Sequence, residues 1–148
     1  MIRMGMVQEE NVKIGAHLDT GYNVILRANV VVGDEVKIWS NTVIDPDSVI
    51  GNNTRIHCNC YIGQGTKIGN NVFIAPNVVI LNDKYPPRFD PTVWETVTIE
   101  DDVVIGGGSV IGPGVTIGKG AIIGAGALVL RNVPAGQIWV GHPAKRLR

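Results

Sequence analysis

A large aliphatic residue recurs at every sixth position along most of this 148-residue chain. The first series runs without a gap from Leu26 to Ile80, and a second series, in a new phase, runs from Ile99 to Val129. A period of six matches neither the helical repeat nor the two-residue alternation of an ordinary strand. The period therefore indicates one short structural unit that is repeated many times.

The residue two positions before each large aliphatic is small or β-branched, as at Val24, Val30 and Thr42. Residues two apart on an extended chain point to the same side, so both face one core and the residue between them faces outward. We expect the glycines directly after the large aliphatics to form sharp corners with positive φ. These glycines are Gly33, Gly51, Gly63, Gly69, Gly106, Gly112, Gly118 and Gly124. Short strands joined by corners predict an all-β prism with flat sides.

This repeat, over about residues 12–133, resembles that of the hexapeptide-repeat acyltransferase family. The resemblance implies a left-handed parallel β-helix with three sides per coil, in which residues one coil apart stack at the ~4.8 Å strand spacing. It also implies a homotrimer with sites between subunits. We expect a single domain over residues 1–148, with repeats over about 12–80 and 97–133 and a short C-terminal extension over 134–148.

Composition argues against several classes of protein. Thirteen basic and thirteen acidic residues cancel, unlike the basic footprint of a nucleic-acid-binding protein. Residues 1–10 lack the apolar core of a signal peptide, and no apolar run is long enough to span a membrane. Cys58 and Cys60 are too few for a disulfide framework or a structural zinc site. We therefore expect a cytoplasmic protein without nucleic-acid or membrane partners.

The interruption between the two series is the strongest pointer to function. Nineteen positions separate Ile80 from Ile99, thirteen more than one repeat needs, and we expect the excess to form a loop over about 81–98. A loop of this length on a rigid scaffold is more often functional than not. The alternative is that Phe89 and Trp94 only pack on the helix wall or on a neighbouring subunit.

The segments 74–88 and 56–65 resemble those of bacterial nucleotide-sugar N-acetyltransferases. This resemblance implies acetyl transfer from acetyl-CoA to an amino group of a nucleotide-linked sugar, and it implies that Asn82 lies beside the reacting amine. Arg88 could meet a substrate phosphate or be an ordinary surface arginine. The candidates for substrate binding next to Asn82 are Asp83, Tyr85 and Arg88.

His57 stands at a corner position where glycine is common, and Trp39 and Ala75 hold the equivalent positions one coil before and after it. We therefore expect the Trp39 indole to lie directly beneath the His57 imidazole. A histidine commonly serves as the base in hexapeptide acyltransferases, so His57 is a candidate catalytic base. The other interpretation is a corner or interface histidine, because some sugar N-acetyltransferases work without a side-chain base. The same spacing predicts an ion pair between Arg27 and Asp45.

Small residues dominate the segment 105–129, where a slender ligand could lie against the backbone. The closing segment 131–145 resembles that of CoA-dependent members of the family. The resemblance implies acetyl-CoA as co-substrate, with its pantetheine arm along the backbone of Gly107 and Ala125. It further implies that the CoA phosphates lie near basic residues of this segment, namely Arg131, Lys145 and Arg146.

Three other functions stay open. A sugar O-acetyltransferase would use the same scaffold and donor site. A carbonic-anhydrase-like zinc β-helix enzyme needs three histidines around one metal, and His17, His57 and His142 are widely spread along the chain, so we expect no metal site. A non-catalytic β-helix scaffold would need neither the long loop nor the CoA-type ending.

Overall fold

A computed structural model describes residues 1–148. Nearly all of its regular structure consists of short strands, and all but the last two strands have two residues. In chain order they are β1 (Val7–Gln8), β2 (Lys13–Ile14), β3 (Asp19–Thr20), β4 (Ile25–Leu26), β5 (Val31–Val32), β6 (Lys37–Ile38), β7 (Val43–Ile44), β8 (Val49–Ile50), β9 (Arg55–Ile56), β10 (Tyr61–Ile62), β11 (Lys67–Ile68), β12 (Phe73–Ile74), β13 (Val79–Ile80), β14 (Thr98–Ile99), β15 (Val104–Ile105), β16 (Val110–Ile111), β17 (Thr116–Ile117), β18 (Ile122–Ile123), β19 (Leu128–Val129), β20 (Ile138–Gly141) and β21 (Ala144–Arg146).

The strands form three sheets, one on each side of a prism. Sheet A contains β1, β4, β7, β10, β13, β16 and β19, and sheet B contains β2, β5, β8, β11, β14 and β17. Sheet C contains β3, β6, β9, β12, β15, β18, β20 and β21. Every third strand returns to the same side in parallel register, so Val43, Tyr61 and Val79 are successive partners in sheet A. The predicted parallel β-helix with three sides per coil is confirmed.

The core lies inside the prism and is made by the repeat itself. A cluster of 31 buried apolar residues runs along the axis, and Leu26, Ile38 and Ile62 have no exposed surface. Buried hydroxyls bond to corner carbonyls of the neighbouring coil, as Thr42 does to the oxygen of His57 at 2.8 Å and Ser109 to that of Gly124 at 3.0 Å. Because these hydroxyls are paired, their burial is tolerated.

The prediction that glycines directly after the large aliphatics have positive φ is wrong. Positive φ occurs two residues further along each corner, for example at Asn29 (63°) and Gly65 (77°). The glycines directly after the aliphatics are needed because the next coil passes very close to them. A Cβ on Gly51 would lie 2.4 Å from the carbonyl oxygen of Gly69, and a Cβ on Gly106 would lie 2.4 Å from the nitrogen of Ala125.

Three edges join the sheets, and each takes the names of the sheets it connects. The C–A edge comprises residues 21–23, 39–41, 57–59, 75–77, 106–108 and 124–126. The A–B edge comprises residues 9–11, 27–29, 45–47, 63–65 and 112–114, and the long loop starts from it at residue 81. The B–C edge comprises residues 15–17, 33–35, 51–53, 69–71, 100–102 and 118–120.

The long loop lies between β13 and β14 and leaves the prism at the A–B edge. Lys67 and Thr98 are register partners in sheet B although 31 positions separate them rather than the usual 18. The predicted excess of thirteen residues is therefore confirmed. The loop contains the one helical turn of the chain, a 3₁₀ turn at Pro91–Val93. No helix of the structure combines the length and apolar character needed to cross a membrane.

Candidate functional site

The C–A edge holds the stacked rings that the spacing predicted. The ring centroids of Trp39 and His57 are 6.5 Å apart at an interplanar angle of 62°, an edge-to-face arrangement. A second ring, that of Phe73, lies 5.1 Å from the imidazole at 56°. Sequence reasoning missed Phe73, and the available signal was its outward-facing position one coil after Arg55, two residues before Ala75. His57 is half-buried between two aromatic side chains.

The same edge continues into a stretch without bulky side chains. Gly107 and Ala125 follow one another in successive coils, and the N–H of Gly126 donates to the oxygen of Gly107 at 2.8 Å. A Cβ on Gly108 or on Gly126 would meet no atom within 4 Å, so this part of the edge is open.

Two backbone donors on this open stretch have no partner. Tyr22 holds the equivalent position on the same edge, and its backbone N–H has a partner because it donates to the Ser40 hydroxyl at 2.9 Å. No hydrogen bond of the structure uses the N–H of Gly107 or that of Ala125. The equivalent N–H groups of Ser40 and Cys58 are also free, but those of Gly107 and Ala125 lie on the open, glycine-rich part of the edge. Two free donors on an open glycine-rich surface fit a slender ligand that carries amide carbonyls, as the pantetheine arm of CoA does.

The C-terminal residues lie at the end of this edge. Strand β20 pairs with β18 in sheet C, with Ile138 beside Ile122, and β21 folds back antiparallel to β20. Lys145 and Arg146 of β21 are exposed. The guanidinium of Arg131 lies 5.9 Å from the ring centroid of Trp139. The three basic residues thus gather around one hairpin at the C-terminal end of the prism.

Asn82 lies on a different edge from His57. It begins the long loop at the A–B edge, where its carbonyl accepts the N–H of Glu95 at 2.8 Å. A Cβ on Gly63, one coil below, would lie 2.6 Å from the carbonyl oxygen of Ile80 and 3.7 Å from Asn82 Cγ, so the backbone at the loop base leaves no space for a side chain there. Since each sheet A strand runs from the C–A edge to the A–B edge, His57 and Asn82 flank opposite margins of sheet A within one chain.

The interior of the loop is organised around Asp83. The Arg88 guanidinium donates from Nε to Asp83 Oδ1 at 2.6 Å, and the backbone N–H groups of Arg88 and Tyr85 donate to the same carboxylate at 2.7 and 3.1 Å. Partial desolvation opposes ionisation, but these donors prevail and hold the pKa of Asp83 below its ordinary value. Arg88 is therefore an internal partner of Asp83, and its guanidinium also lies 5.4 Å from the centroid of the Tyr85 ring.

The loop aromatics have different environments. Trp94 is half-buried and donates from Nε1 to the oxygen of Arg88 at 2.8 Å. Phe89 is 90% exposed and Tyr85 is 67% exposed. The interpretation that Phe89 packs on the helix wall is therefore not realised within one chain.

Charged side chains form a network on the A–B edge below the loop. The predicted pair of Arg27 and Asp45 is present at 3.6 Å, and Arg27 also meets Glu9 at 3.2 Å. The Tyr61 hydroxyl donates to Asp45. Burial, followed by this hydrogen bond, raises the pKa of Tyr61 to about 12. Tyr61 therefore stays protonated and acts as a donor.

The histidines are far apart, and no three or more His, Cys, Asp and Glu side chains are grouped so that they could hold a metal ion. His17 pairs with Glu35 near the B–C edge, and His142 is exposed in the turn of the C-terminal hairpin. A shallow cavity of about 350 Å³ lies on sheet B, lined by Lys67, Thr98 and Lys119 among others. None of the predicted site residues lines it.

Comparison with known proteins agrees with this architecture. The profile of the family described as bacterial transferase hexapeptide (six repeats) matches residues 47–82 and 96–131. The gap between the two matches, residues 83–95, lies within the long loop. A search of curated proteins found no match to the chain.

Solved structures share the fold over nearly the whole chain. A hexapeptide transferase family protein from Anaplasma phagocytophilum is 23% identical, with a TM-score of 0.75, over 96% of this chain and 82% of that one. A maltose O-acetyltransferase from Clostridium difficile 630 is 27% identical, with a TM-score of 0.61, over 98% of this chain and 69% of that one. A mutant perosamine N-acetyltransferase from Caulobacter crescentus, in complex with CoA and GDP-perosamine, is 24% identical, with a TM-score of 0.63, over 96% of this chain and 53% of that one. With its repeat, its three-sided β-helix and the profile match together, the chain belongs to the bacterial transferase hexapeptide family.

Proposed function

We propose that this protein is an acetyl-CoA-dependent acetyltransferase that N-acetylates an amino group on a nucleotide-linked sugar. The observation that carries the proposal is the pair of unpartnered N–H groups at Gly107 and Ala125, on the open part of the edge that also bears His57. They offer hydrogen bonds to the pantetheine carbonyls, and Arg131, Lys145 and Arg146 offer positive charge to the CoA phosphates.

The chemistry assigned to the chain is two proton transfers through His57 and one positioning contact from Asn82. The neutral amine of the sugar attacks the thioester carbonyl, a C–N bond forms, and the C–S bond breaks as the CoA thiolate leaves. His57 accepts the proton that the amine loses and returns it to the thiolate. Asn82 orients the amine through its side-chain amide.

A trimer would bring these two residues together. The outward residues of sheet A are apolar along its whole length: Val7, Ile25, Val43, Tyr61, Val79, Val110 and Leu128. Three prisms that turn their sheet A faces to a common axis bury this surface. Each C–A edge then lies beside the A–B edge of the next subunit, so His57 of one subunit faces the loop base of its neighbour.

The names of the structural neighbours support acetyl transfer and differ in the acceptor. The Caulobacter protein is an N-acetyltransferase with CoA and a nucleotide sugar bound, and the Clostridium protein is an O-acetyltransferase. O-acetylation of a sugar hydroxyl is the second candidate, favoured by the higher identity of the Clostridium protein, 27% against 24%.

The test is a thiol-release assay with acetyl-CoA against UDP- and dTDP-linked amino sugars, each paired with its hydroxyl counterpart. We expect release of CoA only with the amino sugars. Turnover with the hydroxyl counterparts alone would favour the second candidate. Calorimetry with acetyl-CoA serves as the binding control, and failure to bind would favour a scaffold without catalytic function.

A further inference from the structure

Two cations stand side by side without counterions on the outer face of sheet C. Lys37 on β6 and Arg55 on β9 are register partners on adjacent strands. Neither side chain takes part in any ion pair or hydrogen bond of the structure, although both backbone N–H groups are paired across the sheet. The nearest carboxylate by register, Asp19 on β3, is engaged by Arg3 at 3.2 Å and by the amino group of Met1 at 3.5 Å.

This arrangement is unfavourable in the isolated chain. Like charges directly opposite on neighbouring strands repel. No carboxylate lies within ion-pair distance of either side chain, and Asp19, beside Lys37, is already shared with Arg3 and the Met1 amino group. An anion placed between the two side chains would reverse the sign of the interaction. A guanidinium next to an ammonium suits a phosphate, because the guanidinium offers paired donors and the ammonium a compact charge.

Aromatic side chains stand immediately beside these cations. Phe73 is the register partner of Arg55 on the outer face of sheet C, and Trp39 and His57 stand at the C–A edge two residues after Lys37 and Arg55. Trp39, His57 and Phe73 form one contiguous cluster, here called the aromatic shelf, and all three are half-buried. Partly exposed aromatic faces next to phosphate-binding cations fit a nucleotide, whose base stacks while its phosphates pair with the charges.

The position of the shelf indicates which nucleotide it takes. From His57, the C–A edge rises through Ala75, Gly106 and Gly124 to the C-terminal hairpin, four coils or about 19 Å at the usual strand spacing. The free N–H groups and the basic hairpin occupy that upper part. Trp39 and Lys37 lie on the opposite, N-terminal side of His57, so a donor and an acceptor can approach the imidazole from opposite ends of one edge.

We propose that the aromatic shelf, with Lys37 and Arg55, binds the nucleoside diphosphate part of the acceptor. The base stacks on the Trp39 indole and the diphosphate lies against the two cations. This inference rests on the proposed function and assigns it an acceptor subsite.

The experiment measures the binding of UDP, dTDP and GDP to the full chain by calorimetry, without any acetyl donor. At least one of the three should bind, and Trp39→Leu should raise its Kd by roughly 5- to 100-fold, the range of one base–aromatic stack. Trp39→Phe should retain most of the affinity, because it keeps an aromatic face. Lys37→Met and Arg55→Met should each weaken binding several-fold and reduce its salt dependence. Lys13→Met, which removes an exposed cation on sheet B, is the matched control and should change nothing.

The same titration in the presence of saturating CoA shows whether the shelf binds the nucleotide of the acceptor or that of CoA. If the diphosphate still binds with CoA present, the shelf belongs to the acceptor; if CoA displaces it and Trp39→Leu weakens CoA instead, the proposal is overturned. Unchanged affinity in all three variants, with unfolding curves like those of the parent protein, would also overturn it. Diphosphate binding at the shelf without any acetyl transfer would leave the subsite standing and remove the proposed function. Acetyl transfer with an unchanged acceptor KM in the variants would support the proposed function and overturn the proposed subsite.

Discussion

At the residue scale, each corner of this β-helix has two positions with different steric requirements. Twelve residues other than glycine adopt positive φ, and most of them are asparagine, which tolerates the left-handed region better than other side chains. Two residues earlier, the corners that hold glycine, such as Gly51 and Gly106, leave no space for a Cβ because it would collide with the backbone of the next coil. The two positions should therefore respond differently to substitution.

A matched pair of substitutions tests this difference. Gly106→Ala places a Cβ 2.4 Å from the nitrogen of Ala125, so we expect a loss of about 1–3 kcal/mol of unfolding free energy. Gly120 has a φ of 71° and open space around it, and Gly120→Asn should change stability by less than about 0.5 kcal/mol. Urea unfolding of the two variants makes the comparison. Equal losses would contradict the assignment of the two roles.

His57 is the residue on which the proposed chemistry depends most directly. If the imidazole takes the proton of the attacking amine, His57→Ala should lower kcat by roughly 10²–10⁴-fold. The affinity for CoA should stay close to that of the parent protein, because the free N–H groups lie in other coils. Steady-state kinetics with calorimetry on the same preparation separates the two effects. Turnover near that of the parent protein would exclude His57 as the base and leave it as a corner residue.

At the scale of the element, the long loop is a structured insertion. The Asp83 carboxylate accepts three hydrogen bonds from other residues of the loop, and the Trp94 indole N–H donates to the carbonyl oxygen of Arg88. The loop base on the A–B edge stays in register because sheet B resumes at Thr98 beside Lys67. Asn82 is therefore presented on a defined backbone.

Acidification should loosen this loop before the β-helix unfolds. The folded state holds the pKa of Asp83 below its ordinary value, so the carboxylate stabilises the loop above the ordinary carboxyl range. That contribution is lost as the pH falls through the lowered pKa. The indole N–H resonance of Trp94, which reports the bond to Arg88, should shift in that acidic window. In Asp83→Asn the acid-dependent shift should disappear, and an unaltered shift in this variant would assign the transition to another group.

At the scale of the whole molecule, one side of the prism is suited to contact with other copies. Sheet A presents an apolar residue outward in every coil, whereas the outer face of sheet B includes Lys13 and Lys67, and that of sheet C includes Lys37 and Arg55. The two margins of sheet A carry His57 and Asn82. The proposed trimer would bury this face, and the same contact would bring His57 of one subunit beside Asn82 of the next.

A charge placed on sheet A should dissociate the proposed trimer. Val79→Lys puts an ammonium at the centre of the apolar face, and we expect smaller particles by light scattering coupled to size-exclusion chromatography. Turnover should fall in parallel because His57 and Asn82 come from different subunits in the proposal. Val49→Lys on sheet B, where Val49 is 40% exposed, is the matched control and should leave size and turnover unchanged. An intact trimer in Val79→Lys would place the interface on another face.

Several features follow from the repeat because it is local and strictly periodic. The period of six indicates one side per repeat, and the resemblance to the hexapeptide-repeat family implies three sides per coil. The side-by-side position of Trp39 and His57 then follows from their spacing of one coil. The length of the inserted loop, thirteen residues more than one repeat needs, follows from the sequence for the same reason. Given three sides per coil, each of these inferences needs only the parallel register, which the stacked aliphatic core enforces at every strand.

Tertiary structure alone decided the features that depend on contacts between coils or within the loop. The period does not reveal that Phe73 flanks His57, that Asp83 captures Arg88, or that the N–H groups of Gly107 and Ala125 lack partners. It also misplaced the positive φ by two residues, because the repeat shows where a corner is but not which of its residues turns. The physical reason is that a repeated core determines the path of the backbone, whereas side-chain partners at the edges depend on which residues the neighbouring coils and the loop bring within reach.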